Sequence, residues 1–128
     1  MMIKAQSIFL FTLILSACSL QSSERTILGK SYAERELKSA LAEKIQHNVI
    51  NDTTVIIKDS LTAINVTEPV LFSIYGKENI TTQRPYEVYF IENFWIVKGT
   101  LPKGYNGGTF LIILDARNNR IIRVTHGK

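Results

Sequence analysis

Two histidines, one cysteine and eleven carboxylate side chains are the reactive groups of this 128-residue chain, and their spacing builds no reaction centre. His47 closes a helical pattern, where the negative end of the helix dipole accounts for it. His126 belongs to a terminal His-Gly-Lys and shares strand parity with Ile122 and Val124. No His-x-x-x-His, Cys-x-x-Cys or glycine–serine elbow occurs, so neither a zinc site nor an activated nucleophile is expected. Asp115, Glu87 and Glu92 are the carboxylates that neighbouring strands could bring together as a glycosidase-like pair, a geometric possibility with no further support around it. The expectation is a protein with no catalytic residues, no metal and no cofactor. Binding has better material. Lys103, Tyr105 and Asn106 stand between Pro102 and the Gly107-Gly108 pair, as a stiffly launched loop with one aromatic anchor would. The plainer alternative is a long hairpin connection that tolerates glycines. It is no phosphate loop, because the GxxxxGK[ST] order is missing.

The cysteine has another use. A basic start is followed by an apolar run over residues 7–15 and then by Leu15-Ser16-Ala17-Cys18, the layout of a secretory signal peptide. The apolar run is well short of the roughly 20 residues a bilayer span needs. The four closing residues resemble the lipobox of a bacterial lipoprotein, which implies cleavage after residue 17 and acylation of Cys18. Ser19 after the cysteine resembles the outer-membrane sorting pattern, so the expected location is the cell envelope, lipid-anchored and facing the periplasm. A lone cysteine makes no internal disulfide, so the hydrophobic core must hold the fold unaided. The formal charge of +4 is spread along the chain and gives little support to nucleic acid as a partner.

The elements that would position the loop follow from periodicity. Residues 1–17 are the expected leader, 18–30 a polar lipidated tether, and 31–128 a single α+β domain. Ser31 and Glu34 form a capping-box candidate ahead of an amphipathic helix over 32–47, with Ala33, Leu37, Ala40, Leu41 and Ile45 at helical spacing. Asn51-Asp52 predicts a turn and 53–57 a short extended piece. Asp59 or Ser60 caps a second helix whose packed side is Ala63, Val66, Val70 and Ile74, with Leu71 alongside and Gly76 as its stop. Pro69 predicts a kink or break near Glu68. Residues 86–91 and 94–100 are two strands joined by Glu92-Asn93, the spacing of a tight hairpin. The apolar run 109–114 predicts an interior strand covered on both sides, and 120–125 a last strand near an edge with Ile122 and Val124 on one face and Arg123 and Thr125 on the other. Trp95, opposite in parity to Phe94 and Ile96, is expected to cover one face of the sheet. The face around Tyr89, Arg123 and His126 is the next candidate binding surface after the loop.

The run from Pro69 to Ile80 is followed by Arg84-Pro85-Tyr86, by residues 95–102, by Gly107-Gly108 and by Thr125-His126-Gly127-Lys128. This succession resembles the NTF2-fold immunity proteins of bacterial polymorphic toxin systems, over roughly residues 55–128. Matching positions include Tyr75, Gly76, Arg84, Pro85, Trp95, Gly99, Gly107, Gly108, His126 and Gly127. Tyr75, Gly76, Trp95, Gly107 and Gly108 are expected to be structural. The resemblance implies helices against a curved antiparallel sheet (NTF2-like or cystatin-like) and a protein that binds and neutralises a cognate toxin without catalysis. With the lipoprotein leader, the implied toxin is one active in the periplasm or at the cell surface. The competing expectation is an envelope-maintenance lipoprotein that binds a small ligand or peptide. Oligomeric state and toxin identity stay open.

Overall fold

A computed structural model describes residues 25–43 and 48–127 of the chain. The expected signal peptide, Cys18 and His47 lie outside the described residues. The chain divides between Leu37 and Lys38 into two compact units. Helix α1, Gly29–Ala42, contains that boundary, and none of its residues is buried. Its expected apolar stripe therefore forms without being covered: Leu37 and Leu41 are 60% and 67% exposed. The capping box is not where its pattern puts it. The helix starts at Gly29, whose φ of 79° turns the chain into it, so Ser31 lies inside the first turn rather than ahead of it.

In the second unit the expected turn is present. The side-chain oxygen of Asn51 accepts from the backbone N–H groups of Thr53 and Thr54, and Asp52 takes a left-handed φ of 59°. Residues 53–57 run beside the sheet without joining it as a strand. Ile56 and Ile57 both donate to the carbonyl of Ala116, which holds the segment while leaving no ladder.

Helix α2, Ser60–Tyr75, begins and ends as its residues dictate. The Asp59 carboxylate accepts from the Thr62 N–H at 2.8 Å, and Gly76 turns the chain out with φ 87°. The helix passes through Pro69 without the expected break near Glu68. Proline removes the bond to the Asn65 carbonyl, and both residues are exposed, so water can satisfy the freed oxygen. The buried stripe is Ala63, Thr67 and Leu71, spaced by four, while Ile74 is 52% exposed. Thr67 enters the core because its hydroxyl donates back to the Ala63 carbonyl at 2.8 Å. A short helix α3, Lys77–Thr81, adds Ile80 to the core.

Four strands follow as an antiparallel meander in the order β1-β2-β3-β4: Glu87–Ile91, Phe94–Lys98, Phe110–Asp115 and Ile121–His126. Glu92 and Asn93 both have positive φ, 49° and 69°, the handedness that a two-residue hairpin requires. β3 is interior in strand order, as its apolar run predicts, but only one of its faces is covered: Phe110, Ile112 and Leu114 are buried, whereas Leu111 and Ile113 are half-buried on the other side. Its inner residues Phe110, Ile112 and Leu114 join Trp95 and Val97 of β2 beneath the helices. Around Trp95 the core contains Ile57, Ala63, Leu114 and Ala116; around Val97 it contains Leu71, Ile80, Phe110 and Ile112. The fold is thus α+β, with α2 and α3 on one face of an antiparallel sheet.

The last strand departs from the expected alternation. Ile113 pairs with Arg123 but Leu114 pairs with Ile121, so Ile122 is the extra residue of a β-bulge. The bulge resets parity. Val124 and His126 point inward opposite Ile112 and Phe110, while Ile122 is 45% exposed instead of sharing the face of Val124.

Candidate functional site

The loop between β2 and β3 has rigid ends and an exposed tip. At its entry, the Thr100 N–H donates to the Gln83 carbonyl at 2.9 Å and its hydroxyl to the Pro85 carbonyl at 2.7 Å. At its exit, Gly108 lies against the backbone of Gly127: a Cβ there would sit 1.6 Å from the Gly127 oxygen. The Gly127 N–H in turn donates to the Thr109 carbonyl. Between these ties Lys103, Tyr105 and Asn106 are all exposed, Tyr105 to 71%. Gly104 and Gly107 take positive φ, 89° and 156°, which lets the chain reverse over so few residues.

The second candidate surface separates into two. Register places Tyr89, Ile96, Ile113 and Arg123 in one row across the outer face of the sheet. His126 is on the opposite, inner face and cannot join them. It faces Tyr75, ring centroids 5.1 Å apart, and its Nε2 lies 3.2 Å from the Gln83 amide nitrogen. That nitrogen can only donate, so Nε2 accepts, and Nδ1–H donates to the Gly127 carbonyl at 2.8 Å. Gln83 is the centre of this network, and sequence reading passed over it. Buried to 4% exposure, it accepts from the Phe110 N–H through Oε1 and donates to the Asn79 carbonyl. Gly99 supplies its space, since a Cβ there would meet Gln83 Oε1 at 2.2 Å. Nothing in local periodicity marks a glutamine as core.

Trp95 is in the core at 7% exposure, its indole N–H donating to the Ile57 carbonyl at 2.8 Å. Glu87 does not converge with Asp115. Glu87 pairs with Lys98 at 3.4 Å at one end of the sheet, whereas Asp115 lies opposite Phe94 at the other. Four residues of strand, roughly 13 Å, separate those rows, beyond the roughly 5–9.5 Å of glycosidase pairs. Asp115 is engaged instead by Arg117, whose hydrogen bonds hold its carboxyl below the usual carboxylate range. Among the described residues no cluster of histidine, cysteine or carboxylate side chains could hold a metal ion.

A third cluster was not singled out as a site from sequence. Leu61, Ile64 and Asn65 of α2, with Glu68, Arg84, Pro85 and Tyr86, line a groove of about 620 Å³. Oε1 of Glu68 accepts from Arg84 Nε at 2.9 Å, from Arg84 Nη2, and from the Tyr86 hydroxyl at 2.8 Å. The Glu68 contact raises the Arg84 pKa. Burial, followed by the hydrogen bond to Glu68, pushes the Tyr86 phenol up to about 12. The Arg84-Pro85-Tyr86 run was visible, but its carboxylate partner sits sixteen residues earlier, at the point where the proline predicts a break.

Residues 62–128, which contain α2 from Thr62 onward, the sheet and the tied loop, match the family described as NTF2 fold immunity protein. The chain belongs to that family. This NTF2-fold immunity family member is also 28% identical over 74 residues to a protein of Escherichia coli (strain K12) named Uncharacterized protein YhhH. That alignment covers 57% of this chain and 58% of the relative, so the chain spans under two thirds of the relative's length. No solved structure matches it. An immunity role carries no requirement for catalysis. No described helix is long and apolar enough to cross a membrane.

Proposed function

We propose that this family member is an envelope-anchored immunity protein that binds a cognate toxin and neutralises it by covering its surface. The observation that carries the reading is Tyr105, an aromatic side chain held out to solvent on a loop tied at both ends. A rigid aromatic anchor loses little conformational entropy on binding, which is why such residues dominate interfaces. Lys103 and Asn106 flank it as rim contacts. The row of Tyr89, Ile96, Ile113 and Arg123 offers a second contact area. Acylation of Cys18 would attach the chain to the bilayer and restrict its targets to toxins met outside the cytoplasm. Mass spectrometry of the mature N-terminal peptide tests the anchor: an unmodified Cys18 or an intact leader contradicts it.

The binding reading is tested by affinity capture from a native membrane extract, then calorimetry with the captured protein. Tyr105→Ala should weaken affinity by at least about 2 kcal/mol, roughly thirtyfold. Lys103→Ala should mainly slow association and flatten its salt dependence. Equal affinities for wild type and Tyr105→Ala would remove the loop as anchor and move the interface to Tyr89 and Arg123. The groove beside α2 favours a second reading, a lipoprotein that binds a small ligand or peptide, because it joins apolar walls to a few convergent polar groups.

A further inference from the structure

The groove beside α2 has a particular chemistry at its rim. A guanidinium presents two edges to acceptors: one through Nε and Nη2, the other through Nη1 and Nη2. Glu68 takes the first edge of Arg84, with Nε and Nη2 both donating to its Oε1. Beyond Glu68 and the neighbouring Tyr86 hydroxyl, no acceptor is described for this guanidinium, and the Arg84 side chain is 51% exposed. The end-on fork is therefore open to solvent and held in orientation by the Glu68 bond beneath it. Its two parallel N–H groups match the two oxygens of a carboxylate.

The carboxylate at the groove is itself already engaged. The Glu68 side chain is only 13% exposed, and its Oε1 already accepts three donors. A cationic ligand would meet the Arg84 charge at the entrance before it reached that carboxylate. Leu61, Ile64 and Pro85 supply apolar walls, and Leu61 is 65% exposed although it sits on the first turn of α2. An apolar group attached to the bound carboxylate would cover these walls.

We propose that this groove recognises an acidic residue adjoining an apolar side chain on the partner protein, the carboxylate on the Arg84 fork and the apolar group against Leu61, Ile64 and Pro85. This rests on the reading that the chain acts by binding a protein. It adds a second contact chemically distinct from the Tyr105 loop.

The test has two arms. In the first, the isotope-labelled protein is titrated with 3-phenylpropanoate and with its uncharged amide, and backbone resonances are followed. The carboxylate should shift Leu61, Ile64, Arg84 and Tyr86 and bind at least about tenfold tighter than the amide. Arg84→Lys keeps the charge and removes the fork, so it should abolish most of that preference. Leu61→Glu, at an exposed wall position that folding does not need, should weaken both probes. Equal binding of carboxylate and amide, or shifts located elsewhere, overturns the proposal.

In the second arm, the partner captured on wild type should bind Leu61→Glu at least about tenfold more weakly. Unchanged affinity places the groove outside the interface and overturns the proposal. A positive titration with no captured protein overturns the functional reading instead and reassigns the groove to a small carboxylate.

Discussion

Trp95 joins two segments far apart in sequence, since its ring fills the space between α2 and β3 while its N–H satisfies the Ile57 carbonyl. Truncation removes both the packing and the bond. Trp95→Ala should destabilise the domain by about 3–5 kcal/mol, read as a lowered urea midpoint; an unchanged midpoint would contradict its burial. Tyr86 gives a titration to follow. Its folded pKa of about 12 lies above the ordinary tyrosine value near 10. The folded state therefore favours the protonated phenol. That contribution is complete below about pH 10 and is lost as the pH rises toward about 12. Absorbance near 295 nm should show one tyrosine ionising late, and Tyr86→Phe should remove that step while leaving the others. At this scale the sequence revealed Trp95, because an indole within alternating strand residues has one reasonable place. It hid Gln83 and Glu68, because a buried polar side chain is defined by partners that only the folded chain brings near.

The elements were most legible where a local rule acts alone. Asp59 and Gly76 bracket α2 by cap chemistry, and the uninterrupted apolar run of β3 placed it inside the sheet. Legibility failed where the surroundings decide. The proline break did not occur because Pro69 and Asn65 face water, and the parity of β4 was lost at the bulge, which periodicity cannot show. The β1–β2 turn carries a testable imperfection. Glu92 and Asn93 occupy left-handed positions, and a glutamate resists that geometry more than asparagine or glycine does. The double replacement Glu92→Asn with Asn93→Gly should stabilise the domain by about 1 kcal/mol, the order of the strain a left-handed position puts on an ordinary residue. For a domain of this size that is roughly a 4–8 °C rise in midpoint, measurable by calorimetry. A lower midpoint would show that Glu92 makes a compensating contact.

At the scale of the whole molecule, the class of fold and the loop's display were readable from sequence, and so, from strand parity, was the division of the binding face. Tyr89 and Arg123 share the outer face, whereas His126, three residues beyond Arg123, has the opposite parity and points inward to Gln83. The contact of Gly108 with Gly127 has a consequence beyond the shape of the loop. Residues on either side of β3 and β4 meet there with no side chain between them, so changes at the two positions are thermodynamically linked. Gly108→Ala should destabilise the full chain by about 1–3 kcal/mol, the usual penalty of overpacking. In a chain ending at His126 the obstructing backbone is gone, and the same substitution should cost markedly less. The difference is a coupling energy between the loop and the end of the last strand, obtained from a double-mutant cycle. A value near zero would mean that the loop closes without Gly127. A large one would make the last residues part of the loop's foundation, so that any peptide fused after them perturbs the surface displaying Tyr105.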